Sequence, residues 1–141
     1  MDILMSNITY RSDIKPHIED AVTLYSNCSL GTRRPITDKI RFQAMLDNAN
    51  LIITAWDSQQ SLVGMARCIT DFVFSTYLSD LAVDEHYQRQ GIGKQLIKEV
   101  QNHTQPGCRV ILLAAPQAID YYSHIGFQAH PSAWTRLEPL I

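Results

Sequence analysis

The sequence has no run of apolar residues approaching the length of a membrane span, so no transmembrane helix is expected. Its start, MDILMSNITYRSD, lacks the basic-then-apolar order of a secretory signal, and a cytoplasmic location is the expectation. An excess of positive charge is also missing. Twelve Lys and Arg against fourteen Asp and Glu give a formal net charge of −2 and a pI near 6.2. That balance excludes the basic face of a general nucleic-acid binder. Cysteine is scarce: Cys28, Cys68 and Cys108 are odd in number and far apart. They fit buried thiols in a reducing compartment better than a disulfide frame or a zinc site. His17, His86, His103, His124 and His130 show no metal-ligand spacing, and no metal is expected. Internal repeats, low-complexity tracts and interdomain linkers are lacking too, so residues 1–141 are expected to form a single domain.

What is present suits a globular domain with a real core. Hydrophobic residues make up 45% of the chain and charged residues 18%, which separates it from disordered sequences. Asn7 to Arg11 reads as a first strand. Lys15 to Asn27 reads as a helix with Ile18, Ala21, Val22 and Tyr25 on one face, Asp13 as N-cap and Pro16 in the first turn. Ser29 to Pro35 is a loop carrying Arg33 and Arg34. Asp38 to Asn48 reads as a second helix, with Thr37 as its cap. Leu51 to Trp56 and Leu62 to Ile69 form a hairpin across a polar turn, and Val73 to Val83 returns as a third central strand. After a stop signal at Gln105-Pro106-Gly107, Arg109 to Ala114 is a continuous apolar run, the pattern of a strand buried on both faces. A short helix from Pro116 to His124 closes at Gly126. Strands are expected at Phe127 to Ala129 and at Trp134 to Leu137. The order β-α-α-β-β-β-α-β-α-β is that of an α+β sheet with helices on both sides.

The informative stretch is Tyr77 to Val100. A strand ends in Leu81-Ala82-Val83, a loop without aliphatic residues runs from Asp84 to Gln90, and a helix follows from Gly91 to His103. Its apolar stripe is Ile92, Leu96, Ile97 and Val100. The first N–H groups of a helix lack intrahelical acceptors and carry the positive end of its dipole. Gly91 and Gly93, without Cβ atoms, let another molecule approach them. Strand, glycine turn and helix start therefore make a phosphate cradle. The ATP/GTP loop does not fit, because Gln95 stands where Ser or Thr would bind Mg²⁺ and position 88 holds no glycine. The dinucleotide pattern does not fit either, because Leu96 stands where a small residue is required.

The segment Gln88-Arg89-Gln90-Gly91-Ile92-Gly93 resembles the Gln/Arg-x-x-Gly-x-Gly/Ala signature of the GNAT N-acetyltransferase superfamily, as do the flanking Asp80-Leu81-Ala82-Val83 and Lys94-Gln95-Leu96-Ile97. A second segment, Ala118-Ile119-Asp120-Tyr121-Tyr122-Ser123-His124-Ile125-Gly126-Phe127, resembles that family's Ala-x-x-Phe/Tyr-Tyr-x-x-x-Gly-Phe. The resemblance covers nearly the whole chain, with specific motifs from Asp80 to Phe127. It implies a mixed, mostly antiparallel sheet and an acetyl-CoA-dependent N-acetyltransferase acting on an amine acceptor by direct attack in a ternary complex. The main chain at Gln88, Arg89, Gln90, Gly91, Ile92, Gly93 and Lys94 would hold the pyrophosphate. Leu81, Ala82 and Val83 would pair with the pantetheine arm. Tyr122 would protonate the departing thiolate, with Tyr121 packed in the core. Asp80 is the leading candidate for general base, beside Asp71, Glu85 and a water chain. One departure is Ala115, where the family often has a cofactor-binding asparagine.

Arg33, Arg34 and Arg67 are the charges to test for acceptor selectivity, with Arg33 and Arg34 expected in solvent and the role of Arg67 set by its strand face. Ping-pong transfer through a cysteine has no support from either motif. A non-catalytic acyl-CoA-binding module on the same fold is the alternative function. The resemblance also implies a homodimer, with Ser132 to Ile141 in its interface.

Overall fold

The computed structural model describes residues 7–140. Strand β1 (Thr9–Arg11) leads to helix α1 (Ile18–Ser26), a 3-10 turn (Ser29–Thr32) and helix α2 (Lys39–Asn48). Strands β2 (Leu51–Trp56), β3 (Leu62–Thr70) and β4 (Ser75–Val83) follow. A 3-10 turn (Glu85–Tyr87) precedes helix α3 (Ile92–Asn102), and strand β5 (Arg109–Ile111) precedes a 3-10 turn (Pro116–Ala118) and helix α4 (Ile119–His124). The strands lie side by side in chain order. β1 through β4 pair antiparallel and β5 joins β4 in parallel. Among the described residues no helix is long and apolar enough to cross a membrane.

Each face of the sheet carries its own core. Ala21, Leu24 and Tyr25 of α1 and Phe42 and Leu46 of α2 pack on Ile52, Met65 and Ala82. On the other face Ile92, Leu96, Ile97 and Val100 of α3 pack on Leu51, Ile53, Ala66 and Leu78, with Tyr122, Ile125 and Phe127 at the margin. β2 is therefore covered on both sides, which explains its unbroken apolar sequence. The floor under α3 is made of small residues. A Cβ on Gly64 would lie 3.1 Å from Ile92, 3.2 Å from Leu96 and 3.3 Å from Ala55. Glycine there sets how deeply α3 sits on the sheet.

Several expectations are corrected. Asp13 does not cap α1; it pairs with Arg11 at 2.8 Å, and the helix begins after His17 with no side-chain cap. Pro16 lies before that helix, not in its first turn. Asp38, not Thr37, caps α2 by accepting the Arg41 amide at 3.1 Å. β5 is a three-residue edge strand with Ile111 47% exposed, not a strand buried on both faces. The expected strands at 127–129 and 134–137 do not form. Phe127 packs against Tyr122 and donates its amide to the Tyr122 carbonyl at 2.9 Å, so the chain turns back onto α4 and does not extend along β5.

A buried charge cluster ties the first half of the chain to the sheet. Asp80 is 1% exposed. Its Oδ2 accepts from the Tyr25 hydroxyl at 2.6 Å and from Arg67 Nε at 2.7 Å, and its Oδ1 accepts from Arg34 Nε at 2.6 Å. The cluster sits at a β-bulge: Arg67 pairs with Asp80 but Cys68 pairs with Leu78, leaving Ser79 as the extra residue. Both arginines hold that extra residue, Arg67 through the Ser79 hydroxyl at 2.9 Å and Arg34 through the Ser79 carbonyl at 2.9 Å. Arg34 is thus drawn inward from the solvent where it was expected.

Burial acts to raise the Asp80 carboxyl, but the hydrogen bond and charge of Arg67, the Tyr25 hydroxyl and Arg34 outweigh it and hold the group below its ordinary 3.8. A carboxylate whose folded-state pKa is depressed contributes stability above its unfolded value, and that contribution fades as pH falls through the folded value. Asp80→Asn leaves two guanidinium groups around a neutral amide. It is expected to cost about 3–5 kcal/mol in denaturant unfolding at pH 7. The cost should shrink as pH falls below about 4, where the carboxylate of the unfolded wild-type chain begins to take up a proton, and fade as the folded carboxylate protonates at lower pH. A loss under 1 kcal/mol at pH 7, or one independent of pH, refutes this role.

Candidate functional site

The site begins where β4 runs out. Asp84 caps the 3-10 turn by accepting the His86 amide at 2.8 Å, and the Glu85 amide donates to the Asn27 carbonyl at 2.9 Å. The chain then adopts left-handed conformations at Arg89 (φ 66°) and at Gly91 (φ 82°), the N-cap of α3. A Cβ on Gly91 would meet nothing within 4 Å, so its backbone angle selects glycine there, not lack of space. The first intrahelical bond runs from Gln95 N–H to the Gly91 carbonyl at 3.0 Å. Among the described residues no protein group accepts from the main-chain amides of residues 88–94. These amides, in the turn and in the first residues of α3, form a concentrated set of donors for an anion.

Gly93 is tight where Gly91 is open. A Cβ there would stand 3.0 Å from the Tyr121 hydroxyl, 3.7 Å from Leu81 and 3.8 Å from Val83. The helix start, α4 and β4 therefore meet at one point. They enclose a cavity of about 540 Å³. Its lining includes Gln88, Arg89, Gly91, Ile92, Gly93 and Lys94 from the turn, Leu81 and Val83 from β4, and Tyr122 from α4. Nine of the residues expected from the sequence thus share one cavity. Ala82 does not line it, because alternation along β4 points its side chain into the α1/α2 core. Gln90 lies exposed outside it.

The outer edge of β4 is free beside this cavity. β5 pairs with β4 only from Ser75 to Tyr77, so among the described residues the strand from Leu78 to Val83 has no partner on that side. Tyr122 is half-buried, edge-on to Tyr121 at 5.1 Å and to Phe127 at 5.5 Å. Its main chain is pinned, since the amides of Ile125 and Phe127 both donate to its carbonyl, at 3.2 and 2.9 Å. Burial, and then the neighbouring Tyr121, raise the Tyr122 phenol above its ordinary 10.0. The group therefore carries its proton at neutral pH and can act as a donor.

The candidate bases do not join the cavity. Asp80 belongs to the buried cluster on the opposite face of β4, with both oxygens engaged. Expected as the base, Asp80 here faces Tyr25, Arg34 and Arg67 and does not line the cavity. Asp71 closes the β3–β4 turn, its Oδ1 accepting the amides of Val73, Phe74 and Ser75, and these bonds lower its pKa. Glu85 is exposed on the turn before α3. Arg67 is 6% exposed and fully occupied in the Asp80 cluster. Cys68 is buried, and burial pushes its thiol up to about 12.

Seven cavity residues were not singled out as site residues from the sequence: Cys28, Ser29, Tyr87, Gln117, Ala118, Tyr121 and Ile125. Gln117 and Ala118 border the tyrosine motif and could have been included on that ground. Tyr121, expected in the core, is 40% exposed and lies over the glycine turn. Cys28 and Ser29 reach the site from the end of α1, through a contact that no local pattern encodes. Among the described residues no cluster of potential metal ligands occurs.

Comparison with known proteins bears on the family and the fold. A soybean protein named "Probable acetyltransferase TAP2" is 30% identical over 125 residues, covering 79% of this chain and 49% of the relative. "GCN5-related N-acetyltransferase 2, chloroplastic" of Arabidopsis thaliana is 37% identical over 75 residues, covering 52% of this chain and 29% of the relative. The chain thus spans half or less of the length of these two relatives. A solved GNAT-family acetyltransferase of Streptococcus pneumoniae superposes with a TM-score of 0.68 at 26% identity, covering 93% of this chain and 99% of that one. The acetyltransferase (GNAT) domain family matches residues 32–136, and the chain belongs to that family.

Proposed function

We propose that the chain transfers the acetyl group of acetyl-CoA to a primary amine, by direct attack within a ternary complex. One observation carries this reading: residues 88, 89 and 91–94, whose amides have no protein acceptor among the described residues, and Tyr122 line the same cavity, beside an edge of β4 that no described strand pairs. The turn amides hold the pyrophosphate, aided by the α3 dipole and by the charges of Arg89 and Lys94. The free main chain at Leu81, Ala82 and Val83 accepts the pantetheine arm as a substitute strand. Ala82 can contribute here although its side chain points away, because strand pairing uses only the backbone. One of these amides polarises the thioester carbonyl and steadies the oxyanion as the amine adds. As the C–S bond breaks, Tyr122 donates its proton to sulfur. Ala115 cannot supply a side-chain amide to the cofactor; Gln117, two residues on, lines the same cavity.

Two substitutions test the two ends of the site. Gly91→Asp places a carboxylate against the phosphates and a side chain in a left-handed conformation. It should abolish the thermal stabilisation by CoA, which for a ligand at one hundred times its Kd is about 2.7 kcal/mol. Stabilisation equal to wild type removes the phosphate site from this turn. Tyr122→Phe should lower kcat for thiol release by about a hundredfold or more while the KM for acetyl-CoA changes by less than about threefold. An unchanged kcat takes Tyr122 out of the acid role.

A further inference from the structure

The cavity holds proton donors and cations and no group suited to accept a proton. Its titratable lining is Cys28, Tyr87, Arg89, Lys94, Tyr121 and Tyr122; no carboxylate or imidazole borders it among the described residues. The carboxylates nearest in the chain are engaged elsewhere or exposed. Asp57 Oδ2 accepts the Tyr87 hydroxyl at 2.9 Å, and its Oδ1 accepts the amides of Gln59 and Ser61 in the β2–β3 turn. Asp84 caps its 3-10 turn and holds the His86 ring at 2.9 Å. Asp80 is sealed by Tyr25, Arg34 and Arg67. Glu85 stands exposed on the turn. Burial raises the Cys28, Tyr121 and Tyr122 groups, and the bond to Asp57 raises Tyr87, so all four keep their protons at neutral pH.

Resting on the acetyl-transfer reading, we infer that the acceptor is a weakly basic amine, of the class of a peptide amino terminus, which enters already uncharged and not as a lysine-type ammonium. The balance of the step follows. The neutral nitrogen bonds to the acetyl carbon, the C–S bond breaks, sulfur receives the proton of Tyr122, the nitrogen releases its surplus proton to solvent, and solvent returns a proton to the Tyr122 phenolate. No protein base is required. With an ordinary pKa near 7.8, an α-amine is about one-third neutral at pH 7.5, whereas a lysine side chain at 10.4 is neutral in about one molecule in 800. Selection of the neutral form alone then separates the two by about 250-fold at pH 7.5, falling to about tenfold at pH 9.5.

The experiment measures kcat/KM for thiol release from acetyl-CoA with trialanine and with a lysine peptide blocked at its amino terminus, from pH 6.5 to 9.5. The expected result is a preference of about 100-fold or more for trialanine at pH 7.5 that contracts toward about tenfold at pH 9.5, each profile tracking its own acceptor's ionisation. Glu85→Gln, outside the cavity lining, should leave both profiles unchanged. Equal use of the lysine peptide at pH 7.5 overturns the inference. So does a shared inflection between pH 6 and 7 that Glu85→Gln removes. Thiol release with neither amine, from a protein that acetyl-CoA still stabilises against heat, overturns the acceptor class and leaves the cofactor site standing. Absence of that stabilisation overturns the acetyl-transfer reading itself.

Discussion

The arrangement of the site depends on one carboxylate held by two guanidinium groups. Asp80 lies on β4, the strand that borders the cavity, and its ion pairs reach β3 through Arg67 and the α1–α2 connection through Arg34. Because Ser79 is an extra residue opposite Arg67, β4 changes its pairing register there. A bulge left alone bends its strand at some cost in ladder bonds. Here the hydroxyl and carbonyl of the extra residue are both taken up by the arginines. The bulge divides β4 into a segment paired with β5 and a segment whose outer edge is free. The same cluster anchors Tyr25 near the end of α1, and thereby sets where Cys28 and Ser29 reach the cavity.

The opposite face of the sheet meets a different constraint. Helix α3 must place its first turn beside Leu81 and Val83 while burying four aliphatic side chains. Close packing over Gly64 and Ala55 satisfies both requirements, since larger residues at either position would lift the helix. The amides of the glycine turn are therefore positioned by a hydrophobic contact at the other side of the helix. Apolar packing fixes where the turn is.

Much of this was legible in the sequence because it is local. The α3 stripe, the glycine turn and the β2–β3 hairpin each follow from spacing within about a dozen residues, and all three formed where expected. The expected cavity residues are close neighbours within two segments, 81–94 and 118–127. Long-range pairing was not legible. Asp80 reads as a strand-end acid, and only the fold shows that Arg34, 46 positions away, and Tyr25, 55 positions away, converge on it. The continuous apolar run after Gly107 suggested a strand covered on both faces, but coverage is a property of neighbours. Without a strand beyond β5, Ile111 and Leu113 remain half exposed. The capping errors at Asp13 and Thr37 arose from reading a polar residue near a helix start as its cap, when Arg11 and Asp38 offered better partners.

Taken together, the two faces divide the proton chemistry. The strand that borders the cavity turns Leu81 and Val83 toward it and turns Asp80 and Ala82 away, so alternation places the strongest local acid behind the sheet. Once there, Asp80 is fully engaged: each oxygen accepts a charge-assisted bond shorter than 2.8 Å, and Oδ2 also accepts the Tyr25 hydroxyl. Inside the cavity the phenols stay protonated, because burial beside aromatic rings disfavours the phenolate. A site built this way is well suited to supply a proton to a leaving group and poorly suited to remove one from an incoming ammonium. On the proposed acetyl-transfer reading, selection among acceptors follows from the acceptor's own acid–base chemistry.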